Sequence, residues 1–156
     1  MEYHLDAVAV LPVINENSIL MVRVKRPIIN DMTLELPAGG VEKGENPMQG
    51  ASRELAEETG IVITDFDRYM PMPPIAVSSA RMPRLSYVFR INISEEEFAQ
   101  RQPHDNEIHS ISRIPITEIA KMMASGKIYV SVPLAILGIF LTSRQLSGSQ
   151  HMAALR

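Results

Sequence analysis

Asn46-Pro47 and Gly60 bracket a stretch that can fold in only one way, and the rest of the chain must be arranged around it. Asn is a strong helix N-cap, because its side-chain oxygen accepts from the first free backbone amides. Pro47 has its φ locked near the helical value and loses nothing by lacking an N–H at the first helical position. Gln49 sits where a capping-box partner reaches back to the Asn46 amide. Gly60 tolerates the left-handed conformation that ends a helix. The spacing predicts a helix over 47–59.

Apolar runs flank this helix on both sides. Asp6 to Val13 reads as a buried strand, Asn15-Glu16-Asn17 as a turn, and Ser18 to Arg23 as a second strand. Thr33 to Leu36 is a short extended piece stopped by Pro37 and two glycines. Ile61 to Ile63 reads as the start of a strand, and residues 71–83 as a loop for their Pro and Ser content. Leu85 to Ile93 alternates as a strand does, residues 94–106 are a polar loop or a short helix, and Ile108 to Ile114 is another strand. Helices are expected over Pro115 to Ala124, ending near Gly126, and over Ser131 to Ser143. Strands and helices interleave, which predicts the α/β (α+β) class with a mixed central sheet and helices on its faces. The reading is a single domain over residues 1–144 and a C-terminal tail over 145–156 that frays for want of a pattern.

Composition narrows the function. With 46% hydrophobic residues, the 156-residue chain can bury a full core. A net charge of −3 argues against broad binding to a nucleic-acid backbone. The sequence has no cysteine, which excludes disulfides, thiolate metal sites and a Cys nucleophile, and suits a cytoplasmic protein. The start, MEYHLDAVAVLPV, lacks the basic segment of a signal peptide. The most apolar stretch, Val130 to Leu141, is too short for a membrane span and reads as a buried helix. The ten methionines read as adaptable core filler.

The helix carries an unusual charge pattern. Glu54, Glu57 and Glu58 lie at i, i+3 and i+4, so all three carboxylates share a face. By itself such a face is most simply a solvated acidic one. Left alone the carboxylates repel; a hard divalent cation such as Mg²⁺ or Mn²⁺, which takes oxygen ligands and is shared with substrate phosphates, reverses the sign of that interaction. Arg53 precedes the cluster, Glu45 lies before the cap where it can pair with Arg53, and Gly39-Gly40 allow a tight turn and close approach to a ligand.

These residues resemble the signature of the Nudix hydrolases: Gly39, then Glu45, then Arg53-Glu54-Leu55, Glu57-Glu58, Gly60 and Ile61, with every fixed position met. The resemblance implies the family's α/β/α sandwich over residues 5–143. It implies metal-dependent hydrolysis of the diphosphate linkage in a nucleoside diphosphate joined to another group. In that pattern Glu54 and Glu58 are the main metal ligands, and Glu57 is either a ligand or the group that orients a water. The backbone carbonyl near Ala38 joins the metal shell, while Arg53 and Glu45 form a structural pair. The partner implied is a small-molecule nucleotide, with neither nucleic acid nor membrane. A homodimer is the default assembly.

The segment Val22 to Gly39 is similar to the corresponding part of ADP-ribose and other ADP-sugar pyrophosphatases, through its Arg26-Pro27 and its Glu35-Leu36-Pro37-Ala38-Gly39. That similarity implies that Arg26 contacts a phosphate and Glu35 the sugar or base region. The loop after the helix departs from the subgroup: residues 68–94 contain no carboxylate, and offer Arg81 and Arg84 to an anion instead. An acidic base is then expected from His104-Asp105-Asn106-Glu107, with Glu107 the first choice and Asp105 the second; His104 reads as solvent-exposed. Tyr87 and Phe89 share a strand face and read as core more readily than as a base-stacking pair. A nucleoside triphosphate or dinucleoside polyphosphate hydrolase is the alternative if Arg26 and Glu35 lie far from the acidic helix. A non-catalytic nucleotide-binding regulator is expected only where one of the carboxylates is missing.

Overall fold

The computed structural model describes residues 6–154. The N-terminal residues 1–5, part of the segment read as lacking a signal sequence, and residues 155–156, at the end of the expected tail, lie outside the described residues. The strands are β1 (Ala7–Ile14), β2 (Ser18–Arg26), β3 (Asp31–Glu35), β4 (Ala38–Gly40), β5 (Met70–Ala76), β6 (Leu85–Ile93) and β7 (Ile108–Pro115). The helices are α1 (Pro47–Thr59), α2 (Glu95–Ala99), α3 (Ile116–Ala124) and α4 (Ser131–Ala154).

All seven strands join one mixed sheet. β1 runs parallel to β6 over its whole length, and every other pairing is antiparallel. β1 is almost entirely buried, as its near-continuous apolar sequence requires of a central strand covered on both faces. Asn15 and Glu16 both take positive φ, 47° and 58°, the turn geometry whose twist suits a tight β1–β2 hairpin. β1 and β2 then diverge. Only Val13 and Ile14 pair with β2, whereas Ala7 to Ala9 pair with β4 and Val22 to Arg26 with β3. The chain from 31 to 40 is thus wedged between the two diverging strands, with the Val10 N–H donating to the Pro37 carbonyl at 2.8 Å. That wedge delivers Ala38-Gly39 to the end of the sheet where α1 packs.

Two cores flank the sheet. One contains Val8, Val10, Ala51, Leu55, Ile61 and Phe89 beneath α1. The other contains Ala9, Leu11, Ile119, Ile136 and Phe140 beneath α3 and α4. Successive residues of β1 contribute to opposite cores, as the two-residue period of a strand dictates. The result is the α/β/α sandwich expected from the sequence.

Three local readings are corrected. Residues 71–83 are not all loop: Met70–Ala76 forms β5, a strand at the sheet's edge. Its prolines are tolerated because an edge strand pairs on one side only, and its register shifts between Met72 and Ile75 across Pro73-Pro74. Ile61 to Ile63 is not a strand. Ile61 and Ile63 are buried and Val62 is exposed, so the alternation is real, but this backbone bonds to side chains. The Ile63 carbonyl accepts from Ser52 Oγ at 2.8 Å and from the Tyr69 hydroxyl at 2.9 Å, and the Ile61 N–H donates to Thr59 Oγ1 at 3.2 Å. The last helix does not stop at Ser143 but continues to Ala154. Within 94–106, Glu95–Ala99 is a short helix with its own capping box between Ser94 and Glu97.

Candidate active site

The ends of α1 are set as its sequence dictates. Asn46 Oδ1 accepts the Gln49 N–H and Gln49 Oε1 accepts the Asn46 N–H, both at 2.9 Å. Gly60 ends the helix at φ 74°. A side chain there would be strained by that angle, and its Cβ would lie 1.7 Å from the Gln102 carbonyl oxygen. Gln102 and Asp105 are held against this end of the helix by backbone hydrogen bonds: the Gln102 N–H donates to the Gly60 carbonyl and the Asp105 N–H to the Glu57 carbonyl, both at 2.8 Å.

Leu55 is fully buried on α1, and its burial turns Glu54 and Glu58 inward as well; they are 8% and 9% exposed. Glu57 faces solvent. The Glu54 carboxylate occupies the space where Gly39 has no side chain: a Cβ on Gly39 would lie 2.0 Å from Glu54 Oε1. Glu58 Oε2 accepts the Ala38 N–H at 3.1 Å. The wedge between β1 and β2 therefore meets α1 through these two carboxylates.

Arg53 ties the same parts together. Its Nε and Nη2 donate to the two oxygens of Glu45 at 2.9 and 3.1 Å, and Nη2 also donates to the Gly40 carbonyl at 2.8 Å. Nη1 donates to Glu54 at 2.7 Å and to Glu57 at 3.3 Å. Arg53 thus braces the 40–45 loop against the helix, and its bond to Glu45 holds the Glu45 carboxyl below the ordinary range.

The electrostatics single out Glu58. Burial, then the nearby charges of Glu54 and Asp105, push its carboxyl up to about 8; the Ala38 N–H and Arg26 oppose that only in part. Burial also raises Glu54, against the pull of Arg53, and Glu57 and Asp105 push the same way. No three acidic or histidine side chains already close into a cage among the described residues. The donor set nonetheless fits a hard divalent cation: these are oxygen donors of one sign, and among the described residues Glu58 has no cationic hydrogen-bonding partner, while burial works against its charged state. A dication relieves both burial and crowding.

The remaining predicted residues fall into groups. Arg26 and Glu35 form a two-pronged ion pair, with both bonds at 2.8 Å. Burial pushes the Glu35 carboxyl up, but the bonds from Arg26 and from Thr33 Oγ1 outweigh it and hold the carboxyl low. The chain itself carries the pair toward the acidic helix: Glu35 ends β3 just ahead of Ala38, whose N–H donates to Glu58 at 3.1 Å. The two loop acids divide: half-buried Asp105 acts on Glu54 and Glu58, whereas exposed Glu107 acts on Arg26. His104 directs its Nδ1 at the Asp105 carbonyl, 2.8 Å away. Arg81 and Arg84 lie between β5 and β6, and neither side chain has an ion-pair partner among the described residues. That connection leaves the sheet at the end where Ser86 aligns with Ala7 and Ala7 with Gly40. Phe89 is buried in the core under α1, and Tyr87 packs partly against it. Thr33, which anchors Glu35 at 2.6 Å, was not foreseen; its i, i+2 spacing from Glu35 on one strand face was the available signal.

A NUDIX domain model matches residues 3–131. The chain is 31% identical over 132 residues to a protein named ADP-ribose pyrophosphatase of Bacillus subtilis (strain 168), a match covering 81% of this chain and 66% of that protein. It is 51% identical over 57 residues to the methanol dehydrogenase activator of Bacillus methanolicus, covering 36% of this chain and 31% of the relative. It is 44% identical over 59 residues to the ADP-sugar pyrophosphatase of Mus musculus, covering 35% and 27%. The chain therefore spans just under two thirds of the length of the first of these relatives, and about a third or less of the other two.

Proposed function

The chain belongs to the Nudix family, and on that premise we propose that it hydrolyses the diphosphate linkage of a nucleoside diphosphate joined to a sugar, an ADP-ribose-like molecule or a related nucleotide sugar, with Mg²⁺ or Mn²⁺. The observation that carries the substrate reading is the Arg26–Glu35 pair, held across β2 and β3 just ahead of Ala38, whose N–H donates to Glu58. A relative named for ADP-ribose and one named for ADP-sugars support the same class.

Glu54, Glu57 and Glu58, with the backbone at Ala38, hold the divalent ion. When bound, that ion neutralises diphosphate oxygens and makes a coordinated water more acidic. Arg53 and Glu45 fix the loop that presents Gly39, and Gly39 leaves room for the Glu54 carboxylate. Arg26 binds a substrate phosphate, and Glu35 orients Arg26 and faces the sugar or base. Arg81 and Arg84 supply further positive charge from the β5–β6 connection. Water attacks one phosphorus, the bond from that phosphorus to the bridging oxygen breaks, and the products are a nucleoside monophosphate and a sugar phosphate. The proton leaving the water passes to a carboxylate. Asp105 is favoured over Glu107 for that role, because its N–H is bonded to the Glu57 carbonyl at 2.8 Å and it is half-buried at the acidic helix whereas Glu107 is exposed. A cytoplasmic setting and a homodimer belong to the same proposal; none of the described helices is long and apolar enough to cross a membrane.

The test is a product screen with each metal and with a metal-free control. It spans ADP-ribose, ADP-glucose, UDP- and GDP-sugars, dinucleoside polyphosphates and nucleoside triphosphates. Metal-dependent release of a monophosphate from a sugar diphosphate is expected, with loss of orders of magnitude in Glu58→Gln. Turnover of triphosphates or dinucleotides alone would discard the Arg26–Glu35 argument. Tight nucleotide binding without turnover would make the protein a regulator.

A further inference from the structure

Arg26, Arg53, Arg68 and Arg113 each meet a carboxylate. Arg90 and Arg144 do not, among the described residues. They converge instead on one ring: the Arg90 guanidinium lies 5.3 Å from the centroid of Phe140, and that of Arg144 lies 5.6 Å from it. Arg90 is on β6 and Arg144 on α4, so two elements bring like charges to one place. Arg90 is half-buried, and both burial and Arg144 work against its charge; the acid whose field reaches it, Glu16 in the β1–β2 turn, makes no ion pair with it. Two Arg90 N–H groups donate to Asn92 Oδ1 at 3.2 Å, and the rest of its fork has no partner among the described residues. Ser143 and Ser147 complete the lining of this depression, one helical turn apart on α4. Their hydroxyls rest on the carbonyls of Ile139 and Ser143, bonds that a rotating hydroxyl can exchange for a ligand.

We propose that Arg90, Arg144, Ser143 and Ser147, set around Phe140, form a second binding site for a phosphate group, on the sheet face opposite α1. Phe140 and Ile119 belong to the core away from Leu55, so this site is separated from the acidic helix by the thickness of the sheet. Guanidinium forks match phosphate oxygens in pairs, and the hydroxyls add donors of the right length. An anion here relieves the Arg90–Arg144 repulsion, as a cation relieves that among the glutamates. The ligand is inorganic phosphate or a phosphate monoester, such as a product of the proposed reaction. Its binding would clamp α4 to β6.

Calorimetric titration of metal-free protein with inorganic phosphate, and separately with a nucleoside monophosphate, tests this. Removing the metal leaves the acidic helix repelling anions and isolates the distal site. Saturable binding is expected, weakened about tenfold in Arg144→Gln, the loss of one charge-assisted partner. Arg144 is exposed, so that variant keeps its fold; Arg90→Gln should behave alike. Arg26→Gln should bind as the unaltered protein does. Tighter binding of the monophosphate would name a reaction product as the ligand, and equal binding would name phosphate itself. The proposal fails if no saturable binding is found, if Arg144→Gln titrates like the unaltered protein, or if Arg26→Gln loses the binding.

Discussion

Glu58 should make the metal-free protein lose stability as pH rises through neutrality. Its carboxyl has an ordinary value of 4.5 and is pushed up to about 8 in the fold. Between those two values the native state keeps a proton that the unfolded chain gives up, so each pH unit favours unfolding. The contribution is fully present below 4.5 and exhausted above about 8. Integrated from pH 5 to pH 8, the loss is ~3 kcal/mol. For a chain of this size that corresponds to roughly 6–12 °C in Tm. Glu58→Gln has the same shape but cannot ionise, so the stability gap between variant and unaltered protein should widen by about that amount across the window. The assay is thermal and urea unfolding at half-unit pH steps in chelator, reading the difference so that other titrations cancel. Mg²⁺ should narrow the gap at pH 8, because the ion binds the charged carboxylate. A gap of constant size from pH 5 to pH 8 would refute the argument, since Glu58 would then be freely ionised and would not be the crowded, buried ligand described.

Gly39→Ala should lower Tm, because the added Cβ displaces the buried Glu54 carboxylate from Arg53, and should cut metal-dependent turnover by roughly 10²-fold or more, because a small misplacement is costly; equal turnover in the two folded proteins would place Glu54 outside the chemistry. Gly60→Ala should cost about 2–4 kcal/mol in urea unfolding, for both the positive φ and the contact with the Gln102 carbonyl. Arg68 holds the Glu97 carboxyl down at about 2, so that pair contributes stability above the ordinary carboxylate value and loses it as pH falls toward 2. In Arg68→Gln the drop in Tm between pH 5 and pH 2.5 should be smaller, and an unchanged acid limb would show that the pair is not formed in solution.

Much of the site was legible because its parts are local. The Asn46–Gln49 box, the left-handed Gly60 and the shared face of Glu54 and Glu58 are all set within one helix, where three- and four-residue spacings suffice. The Arg53–Glu45 pair spans eight residues and still follows from one helix and its entry loop. What could not be read depends on distant chain. Nothing near Gly39 states that its missing side chain makes room for Glu54; that follows from the wedge of 31–40 between β1 and β2. The difference between Asp105 and Glu107 is set by a backbone bond to α1. Ile61 to Ile63 misled because its alternation reports burial, and burial does not say whether a neighbouring strand or a Ser, Thr or Tyr side chain takes up the backbone. The prolines of β5 misled because proline argues against a central strand and says little about an edge.

Asp105 and Gln102 are fastened to the last turn of α1 through main-chain atoms alone. Because those two attachments are made by the backbone, they are indifferent to most side-chain replacements in the loop. Acid cluster and loop acid therefore stay together on one support, the helix that Ala51 and Leu55 anchor in the core and that the wedge meets through Glu54 and Glu58. The connection between β5 and β6 lies outside that support. Residues 77–84 can therefore be exchanged in designed variants without touching either attachment of the loop acid to the helix.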